Sequence, residues 1–169
     1  NISGFLNLLT SAKDSSTLKK MVYAASSSTY GDSTSLPKVE GFEGKPLSPY
    51  AVTKLVNELY ADVFSKIYNF HTVGLRYFNI FGPKQRGDSP YSGVIAIFTE
   101  AFKKGLNPTI FGDGLQSRDF VFVKDAVQAL ILAGTKPNIS GDVFNIGAGK
   151  STSLLDLAIH LQTLTGKNL

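Results

Sequence analysis

The sequence predicts an α/β fold with a largely parallel sheet, and two features of its pattern carry that prediction. Short apolar runs that end in small or turn residues alternate along the chain with longer segments whose apolar residues recur at helical spacing. The connecting stretches are rich in glycine, proline and serine, which are typical of turns. Strands that alternate with helices favour a parallel sheet, because each crossover between parallel strands needs a long connection, usually a helix.

The first half of the chain contains two predicted helices and two predicted strands. They are, in order, a helix over 2–12, a strand over 19–26, a loop over 27–47, a helix over 49–68 and a strand over 71–77. The long helix begins at Ser48-Pro49, which supplies a capping hydroxyl and then a proline at the first helical position. Its expected buried stripe is Val52, Leu55, Val56, Leu59 and Val63.

The second half continues the alternation. Its predicted elements are a turn-rich loop over 78–93, a helix over 94–104, a strand and glycine turn over 107–114, a strand over 118–123, a helix over 126–134, a strand over 142–149 and a last helix that Ser151 or Thr152 caps. The Gly-rich stretch 147–153 lacks the spacing of a phosphate-binding loop, so we interpret it as a turn that leads into the last helix.

Composition limits the classes of function. With 169 residues, of which 43% are hydrophobic, the chain is long enough for one domain with an apolar core. The net charge of +4 is mild, and no run of Lys or Arg indicates a nucleic-acid partner. The absence of cysteine excludes disulfides and cysteine-based metal or redox sites, and we predict no metal site. No signal peptide or membrane-spanning run is evident, so a cytoplasmic protein is expected.

Tyr50 and Lys54 lie four residues apart at the start of the long helix and should share one face. By chance the spacing Y-x-x-x-K is expected roughly 0.6 times in a chain of this composition, so spacing alone favours a tyrosine beside a solvated lysine. A free tyrosine, with a pKa near 10, is a poor base at neutral pH, but a cation one helical turn away favours the phenolate. The pair could therefore serve as a general base for alcohol oxidation.

The serine run 26–28 follows a predicted buried strand, at its carboxyl end. Ligands of open α/β sheets bind at that end of the strands, so a serine there could hold a substrate oxygen. Taken alone, the run is more typical of a polar loop with local hydrogen bonds from side chains to backbone.

Four strings, in this order, resemble the NAD-dependent epimerase/dehydratase family of extended short-chain dehydrogenases: YAASSSTYGD, SPYAVTK, LRYFNIFGP and GDGLQSRDF. The resemblance runs from Asn1 to about Gly149, and within the family it is greatest to bacterial UDP-N-acetylglucosamine 4-epimerases. It implies a partial Rossmann-like fold, NAD as cofactor, a UDP-sugar substrate and a role in polysaccharide biosynthesis.

The resemblance also implies residue roles. Tyr50 matches the catalytic base, and Lys54 the residue that tunes it and binds the nicotinamide ribose. Ser26, four residues before Tyr30, matches the catalytic hydroxyl, with Ser27 in reserve. The other cofactor-side positions are Asn1, Ala24, Ala25, Tyr77 and Phe78. The other substrate-side positions are Asn79 and Arg118 at the diphosphate and Val94 near the nucleotide. Apart from the resemblance, Arg118-Asp119 could be a simple ion pair and Tyr77-Phe78 could be core packing.

The residues after Ser26 help to choose the reaction. Family members that dehydrate or decarboxylate usually carry an Asp or Glu just after the catalytic hydroxyl, which serves as a further acid or base. Here Ser27-Ser28-Thr29 follow, without a carboxylate. The prediction is therefore a nucleotide-sugar 4-epimerase, which interconverts UDP-GlcNAc and UDP-GalNAc, or their uronic acids, by oxidation to a 4-keto sugar and re-reduction. The alternatives are a UDP-glucose or UDP-glucuronate 4-epimerase and a non-catalytic dinucleotide-binding sensor.

The glycine-rich fingerprint of the cofactor domain is absent, and the chain starts at Asn1 within helical spacing. We therefore expect one internal segment, residues 1–169, that is inactive alone. Residues 1–80 would be the C-terminal half of the NAD-binding domain, and residues 81–169 would contribute to the substrate domain and the last sheet strands. The resemblance further implies a homodimer through helices 2–12 and 49–68.

Overall fold

The structure is a computed structural model that describes residues 1–89 and 92–167. Its helices and strands, in chain order, are α1 (Ile2–Lys13), β1 (Lys20–Ser26), α2 (Pro49–Tyr68), β2 (His71–Tyr77), β3 (Asn79–Phe81), α3 (Val94–Lys103), β4 (Ser117–Phe122), α4 (Val123–Thr135), β5 (Asp142–Ile146), β6 (Ser151–Ser153) and α5 (Leu154–Thr165). The chain divides into two compact units, Asn1–Tyr77 with Ala126–Ile146 and Phe78–Asp125 with Gly147–Leu169.

The first unit is built on a parallel sheet of three strands in the order β1-β2-β5. Helices α1 and α2 pack against one face over an apolar core of Phe5, Leu9, Tyr23, Ala25, Ala61, Phe64 and Phe70. Because side chains alternate along a strand, Val73 and Leu75 of β2 face the other side, where they pack with Ala133 of α4. The predicted α/β fold with a mainly parallel sheet is confirmed.

The predicted buried stripe of α2 is wrong at three of its five positions, whereas Leu55 and Val56 are half-buried. Val52, Leu59 and Val63 are exposed, and the fully buried positions of the helix are Ala51, Asn57, Glu58, Ala61 and Phe64. Apolar spacing misled the prediction because two polar residues occupy the inner face. Glu58 can be buried there because it has a charged partner on the sheet.

That partner is Arg76 of β2, whose guanidinium is itself buried. Its Nε and Nη2 donate to the two carboxylate oxygens of Glu58 at 3.0 and 2.7 Å, and its Nη1 donates to Glu43 in the 31–47 loop. The guanidinium also lies 5.1 Å from the ring centroid of Tyr30. Desolvation opposes the charge, but the hydrogen bonds to both carboxylates outweigh it and hold the pKa of Arg76 above its ordinary value. This cluster joins α2, β2 and the loop.

The second unit contains a sheet in the order β3-β4-β6, with β3 parallel and β6 antiparallel to β4. Of the strand and glycine turn predicted over 107–114, the strand is absent, since residues 107–111 are irregular, and the glycine turn is present at 112–114. Both edges of β4 are already paired, and Pro108 lacks an N–H for a ladder. Ser153, rather than Ser151 or Thr152, caps α5: it is the last residue of β6, directly before the helix, and its Oγ accepts the Asp156 N–H at 3.0 Å.

Replacing Arg76 tests the buried cluster. We expect Arg76→Met to lower the free energy of unfolding by about 3–5 kcal/mol, because the buried carboxylate of Glu58 and the half-buried carboxylate of Glu43 are then left without their cation. Urea denaturation measures the change. Arg86→Met is the matched control: Arg86 is exposed and pairs only with the exposed Asp88 among the residues described, so no measurable change is expected. Equal losses in both variants would contradict a special role for the buried cluster.

Candidate active site

The first turn of α2 presents Tyr50 and Lys54. Ser48 Oγ accepts the Ala51 N–H at 3.1 Å and caps the helix as predicted. The Tyr50 side chain is half exposed, at 51%. Lys54 Nζ lies 5.8 Å from the centroid of the Tyr50 ring and donates to the Ala24 carbonyl at 2.7 Å. The phenol is therefore accessible, with a cation beside its ring that is fastened to β1.

Ser26 is the last residue of β1 and is buried. It caps a one-turn 3₁₀ helix over Ser27–Tyr30, in which its Oγ accepts the Ser28 N–H. The Thr29 hydroxyl donates to the Ser26 carbonyl at 2.8 Å. The local hydrogen bonds expected of a polar loop are thus present, but they form a defined turn that holds Ser26 at the carboxyl end of the strand.

Asn1 lies beside the same turn of α2. Its side-chain amide donates to Thr53 Oγ1 at 3.3 Å, and the Thr53 hydroxyl donates to the Tyr50 carbonyl at 2.8 Å. Of the two alanines predicted on the cofactor side, Ala24 is exposed and Ala25 is buried in the apolar core. Only the backbone of Ala25 could therefore contribute to a binding site.

Tyr77 ends β2 and packs against the apolar cluster around Val73 and Leu75. Burial raises the pKa of the Tyr77 phenol above its ordinary value. The predicted alternative of core packing applies in part to this residue.

The second unit holds the remaining predicted residues: Phe78, Asn79, Val94 and Arg118. Phe78 is half-buried, directly before β3. Arg118 is exposed, and its Nη1 donates to the Ser117 carbonyl at 2.9 Å. In the chain from 1 to 89 and from 92 to 167, no carboxylate oxygen lies within 4.0 Å of this guanidinium. The alternative of a simple Arg118-Asp119 ion pair is therefore wrong, and Arg118 has donors left for an anion.

Asp119 instead binds the Gly-rich turn. Its two carboxylate oxygens accept the N–H groups of Ala148 and Gly149 at 2.7 and 2.8 Å, and its backbone carbonyl accepts the side-chain amide of Asn79 at 3.0 Å. A Cβ on Gly147 would lie 2.9 Å from the Asp119 carboxylate, so a glycine is needed there. The amides that a phosphate would need are occupied by this carboxylate, in agreement with the interpretation of the stretch as a turn.

Val94 lines a cavity of about 320 Å³ in the second unit. Phe98 and Leu154 provide apolar walls, and the 106–111 segment closes another side with Asn107 and Phe111. A mainly apolar cavity with a few amide groups is the kind of site that holds a flat ring with polar edges.

Each unit thus carries a different chemical capacity. The first brings a phenol, an ammonium and a hydroxyl to the ends of β1 and α2, which suits proton transfer with an alcohol. The second offers a cavity and the Arg118 guanidinium, which pairs with no carboxylate among the residues described, and this combination suits an anion attached to a ring. The sequence analysis did not identify Glu58 as the buried partner of Arg76, or Asp119 as the residue that binds the Gly-rich turn. The four-residue spacing from Lys54 to Glu58 could have indicated the first, and the carboxylate directly after Arg118 the second.

Across residues 1–89 and 92–167, no three His, Cys, Asp or Glu side chains come together in a way that could hold a metal ion. None of the helices in that part of the chain combines the length and apolar character needed to span a membrane.

Comparison with solved structures gives close matches. A UDP-N-acetylglucosamine 4-epimerase from Methanobrevibacter ruminantium M1, in complex with UDP-N-acetylmuramic acid, matches with a TM-score of 0.94 and 38% identity over 99% of this chain and 53% of its own. A UDP-glucuronic acid 4-epimerase from Bacillus cereus, in complex with UDP-glucuronic acid and NAD, matches with a TM-score of 0.89 and 36% identity over 99% and 52%. The Rossmann-like character of the fold is confirmed.

Among curated relatives, a putative UDP-glucose 4-epimerase of Methanocaldococcus jannaschii is 38% identical over 93% of this chain and 50% of its own length. The chain spans about half the length of the relatives it matches. The model of the NAD dependent epimerase/dehydratase family matches residues 1–147. Together with the fold, this match shows that the chain belongs to the NAD-dependent epimerase/dehydratase family.

Proposed function

We propose that the full-length protein is a nucleotide-sugar 4-epimerase that interconverts UDP-GlcNAc and UDP-GalNAc, or their uronic acids. The observation that carries the proposal is the accessible Tyr50 beside Lys54, in a unit where Ser26 ends β1 and no carboxylate occupies the turn after it. UDP-glucose and UDP-glucuronate are the alternative substrates, since relatives with those names match as well. A non-catalytic sensor is disfavoured, because it has no reason to keep the phenol, the ammonium and the hydroxyl together.

The residues around Tyr50 fit the nicotinamide end of NAD. An ammonium has three N–H donors, and the Lys54 contact with the Ala24 carbonyl uses one, so others remain for ribose hydroxyls. With these two residues, Asn1, Ala24, Ala25, Tyr77 and Phe78 are the proposed cofactor contacts. The chemistry supplied by bound NAD is the reversible uptake of a hydride from carbon 4 of the sugar.

In the proposed reaction, Tyr50 as phenolate accepts the proton of the sugar 4-hydroxyl. The positive charge of Lys54 favours the phenolate, and Ser26, with Ser27 in reserve, hydrogen-bonds the same sugar oxygen. The 4-keto sugar then turns over, and Tyr50 returns the proton to the oxygen on the other face. The epimer forms with no net redox change.

The substrate nucleotide is assigned to the second unit. Arg118 has free donors for the diphosphate, and Asn79 keeps an amide N–H and its carbonyl oxygen beside the contact with Asp119. The uracil would occupy the cavity lined by Val94. We further propose that residues 1–80 belong to the cofactor domain and that residues 81–169 contribute both to the substrate domain and to the last sheet strands.

Replacing Tyr50 tests the general base. In the full-length protein we expect Tyr50→Phe to lower kcat for interconversion of UDP-GlcNAc and UDP-GalNAc by about 10²–10⁴-fold, as is usual for removal of a general base. The same assay with UDP-glucose and UDP-glucuronate identifies the preferred sugar. Tyr68→Phe is the matched control, since Tyr68 is an exposed phenol at the other end of α2. A loss of less than about tenfold in Tyr50→Phe would exclude Tyr50 as the base.

Replacing Arg118 tests the diphosphate anchor. We expect Arg118→Met to raise KM about 10–100-fold and to change kcat by less than about threefold, because a charge-assisted pair of hydrogen bonds to the substrate is lost. Steady-state kinetics and the dissociation constant for UDP measure the effect. Arg86→Met is again the control, in the same unit. An unchanged affinity for UDP would show that the anchor lies elsewhere.

A homodimer in the cytoplasm completes the proposal. Exposed apolar residues line the outer face of α2 at helical intervals, namely Val52, Leu59, Val63 and Ile67, and Leu8 is exposed on the neighbouring α1. A continuous apolar face of this kind is typical of a helix that packs against another subunit. A second copy of the same two helices would cover it.

The dimer proposal predicts a change of mass. The double variant Leu59→Glu and Val63→Glu should shift the full-length protein from dimer to monomer in light scattering, because two charges would be buried without partners. Leu164→Glu, an exposed leucine of α5, should leave the mass unchanged. A dimer that survives the double variant would refute this interface.

A further inference from the structure

Ser28 makes two contacts with Ser26 Oγ. The Ser28 backbone N–H lies 3.2 Å from this oxygen, and the Ser28 hydroxyl, as donor, lies 2.8 Å from it. Ser26 is buried and Ser28 half-buried, both within the first unit. Two donors of one residue therefore converge on the candidate catalytic hydroxyl.

The hydrogen-bonding capacity of a serine then determines what Ser26 can do. A serine hydroxyl has one O–H donor and two lone pairs that accept. Ser28 engages both lone pairs of Ser26, so the remaining capacity of Ser26 is its O–H. Toward a substrate, Ser26 can donate a hydrogen bond but has no free lone pair with which to accept a proton.

The backbone around this pair is held on several sides. Ser26 pairs with Tyr77 in the sheet, and its carbonyl accepts the Thr29 hydroxyl. Tyr30 ends the same turn and is buried, with its hydroxyl donating to Asn145 Oδ1 at 2.8 Å. Because hydrogen bonds hold both ends of the turn, the distances between Ser28 and Ser26 are set by well-packed backbone.

We propose that Ser28 is a positioning residue that makes Ser26 a donor only, directed at the sugar 4-oxygen. This inference rests on the proposed function. The proton of the 4-hydroxyl then moves directly to the Tyr50 oxygen, and Ser26 keeps its own proton throughout. The Ser26 O–H stabilises negative charge that develops on the 4-oxygen during the return step, as a preorganised oxyanion donor does.

A second route is thereby blocked. If Ser26 had a free lone pair, it could accept the sugar proton while it passed its own proton to Tyr50, in a two-proton relay. That route requires the Ser28 hydroxyl to release Ser26 Oγ. Ser28 thus selects between a direct transfer and a relay through its two hydrogen bonds to Ser26 Oγ.

Three variants of Ser28 in the full-length protein test the proposal. Ser28→Ala removes the hydroxyl donor, Ser28→Cys replaces it with a weak S–H donor of similar shape, and Ser28→Thr keeps it. We expect kcat about three- to tenfold lower for the first two variants, which corresponds to one lost hydrogen bond, with KM unchanged within about twofold. Ser28→Thr should stay within about twofold of the wild-type kcat.

The controls separate positioning from folding. Thermal unfolding of each variant reports whether the turn survives, and Ser28→Cys covers the case in which Ser28→Ala does not fold. Ser35→Ala, an exposed serine of the 31–47 loop, is the matched control and should leave kcat and KM unchanged. If Ser28 had only a structural role, Ser28→Ala would lower the midpoint of thermal unfolding, and kcat would not recover in Ser28→Thr.

The outcomes distinguish this inference from the proposed function. Wild-type kcat in Ser28→Ala and Ser28→Cys, together with a loss of about 100-fold or more in Ser26→Ala, would overturn the role of Ser28 and leave the epimerase intact. A raised KM with unchanged kcat would also overturn it, since the effect would then be on binding. Absence of turnover with every UDP-sugar in the wild type would overturn the proposed function itself.

Discussion

The buried guanidinium of Arg76 is the constraint on which the first unit depends. Burying a cation is costly unless charged partners with good geometry surround it. Here Glu58 of α2 and Glu43 of the 31–47 loop provide the carboxylates, and the Tyr30 ring adds a cation–π contact. Tyr30 ends the turn that Ser26 begins, and Glu58 belongs to the helix that carries Tyr50. One side chain of β2 therefore ties together the elements that present the hydroxyl and the phenol.

Helix α2 is also bound to the sheet by a second contact. Tyr50, Lys54 and Glu58 follow one another at intervals of four residues, so they lie on one side of α2. Lys54 contacts the Ala24 carbonyl on β1 and Glu58 contacts Arg76 on β2, so the helix is held to the sheet at two points. Two such points limit rotation of the helix about its axis and thereby set the direction of the phenol. In the second unit, Asp119 has a comparable role, because it joins β4 to the 147–149 turn directly beside Arg118.

Much of the fold and part of the candidate site could be predicted from local signals. The cap at Ser48, the strands that end at Ser26 and Tyr77 and the helix that starts at Val94 depend on neighbouring residues, and all were predicted within about a residue or two of their observed bounds. The inner face of α2 was not predictable in this way. Apolar spacing indicates Val52, Leu59 and Val63, yet these face outward, since burial of Glu58 depends on a partner 18 residues away in the chain.

The sequence by itself determined the α/β class, most of the helices and strands of the first unit and the family, and it indicated Tyr50, Lys54 and Ser26 as candidate site residues. These follow from short-range pattern and from residue type. Only the tertiary structure decided that Arg118 does not pair with Asp119, that the Asp119 carboxylate binds the amides of the Gly-rich turn, and that Ser28 donates two hydrogen bonds to Ser26 Oγ. The physical reason is that a charged or hydrogen-bonding group has several chemically equivalent partners along the chain. Which of them it binds depends on distances in space, and the spacing of residues in the sequence does not give those distances.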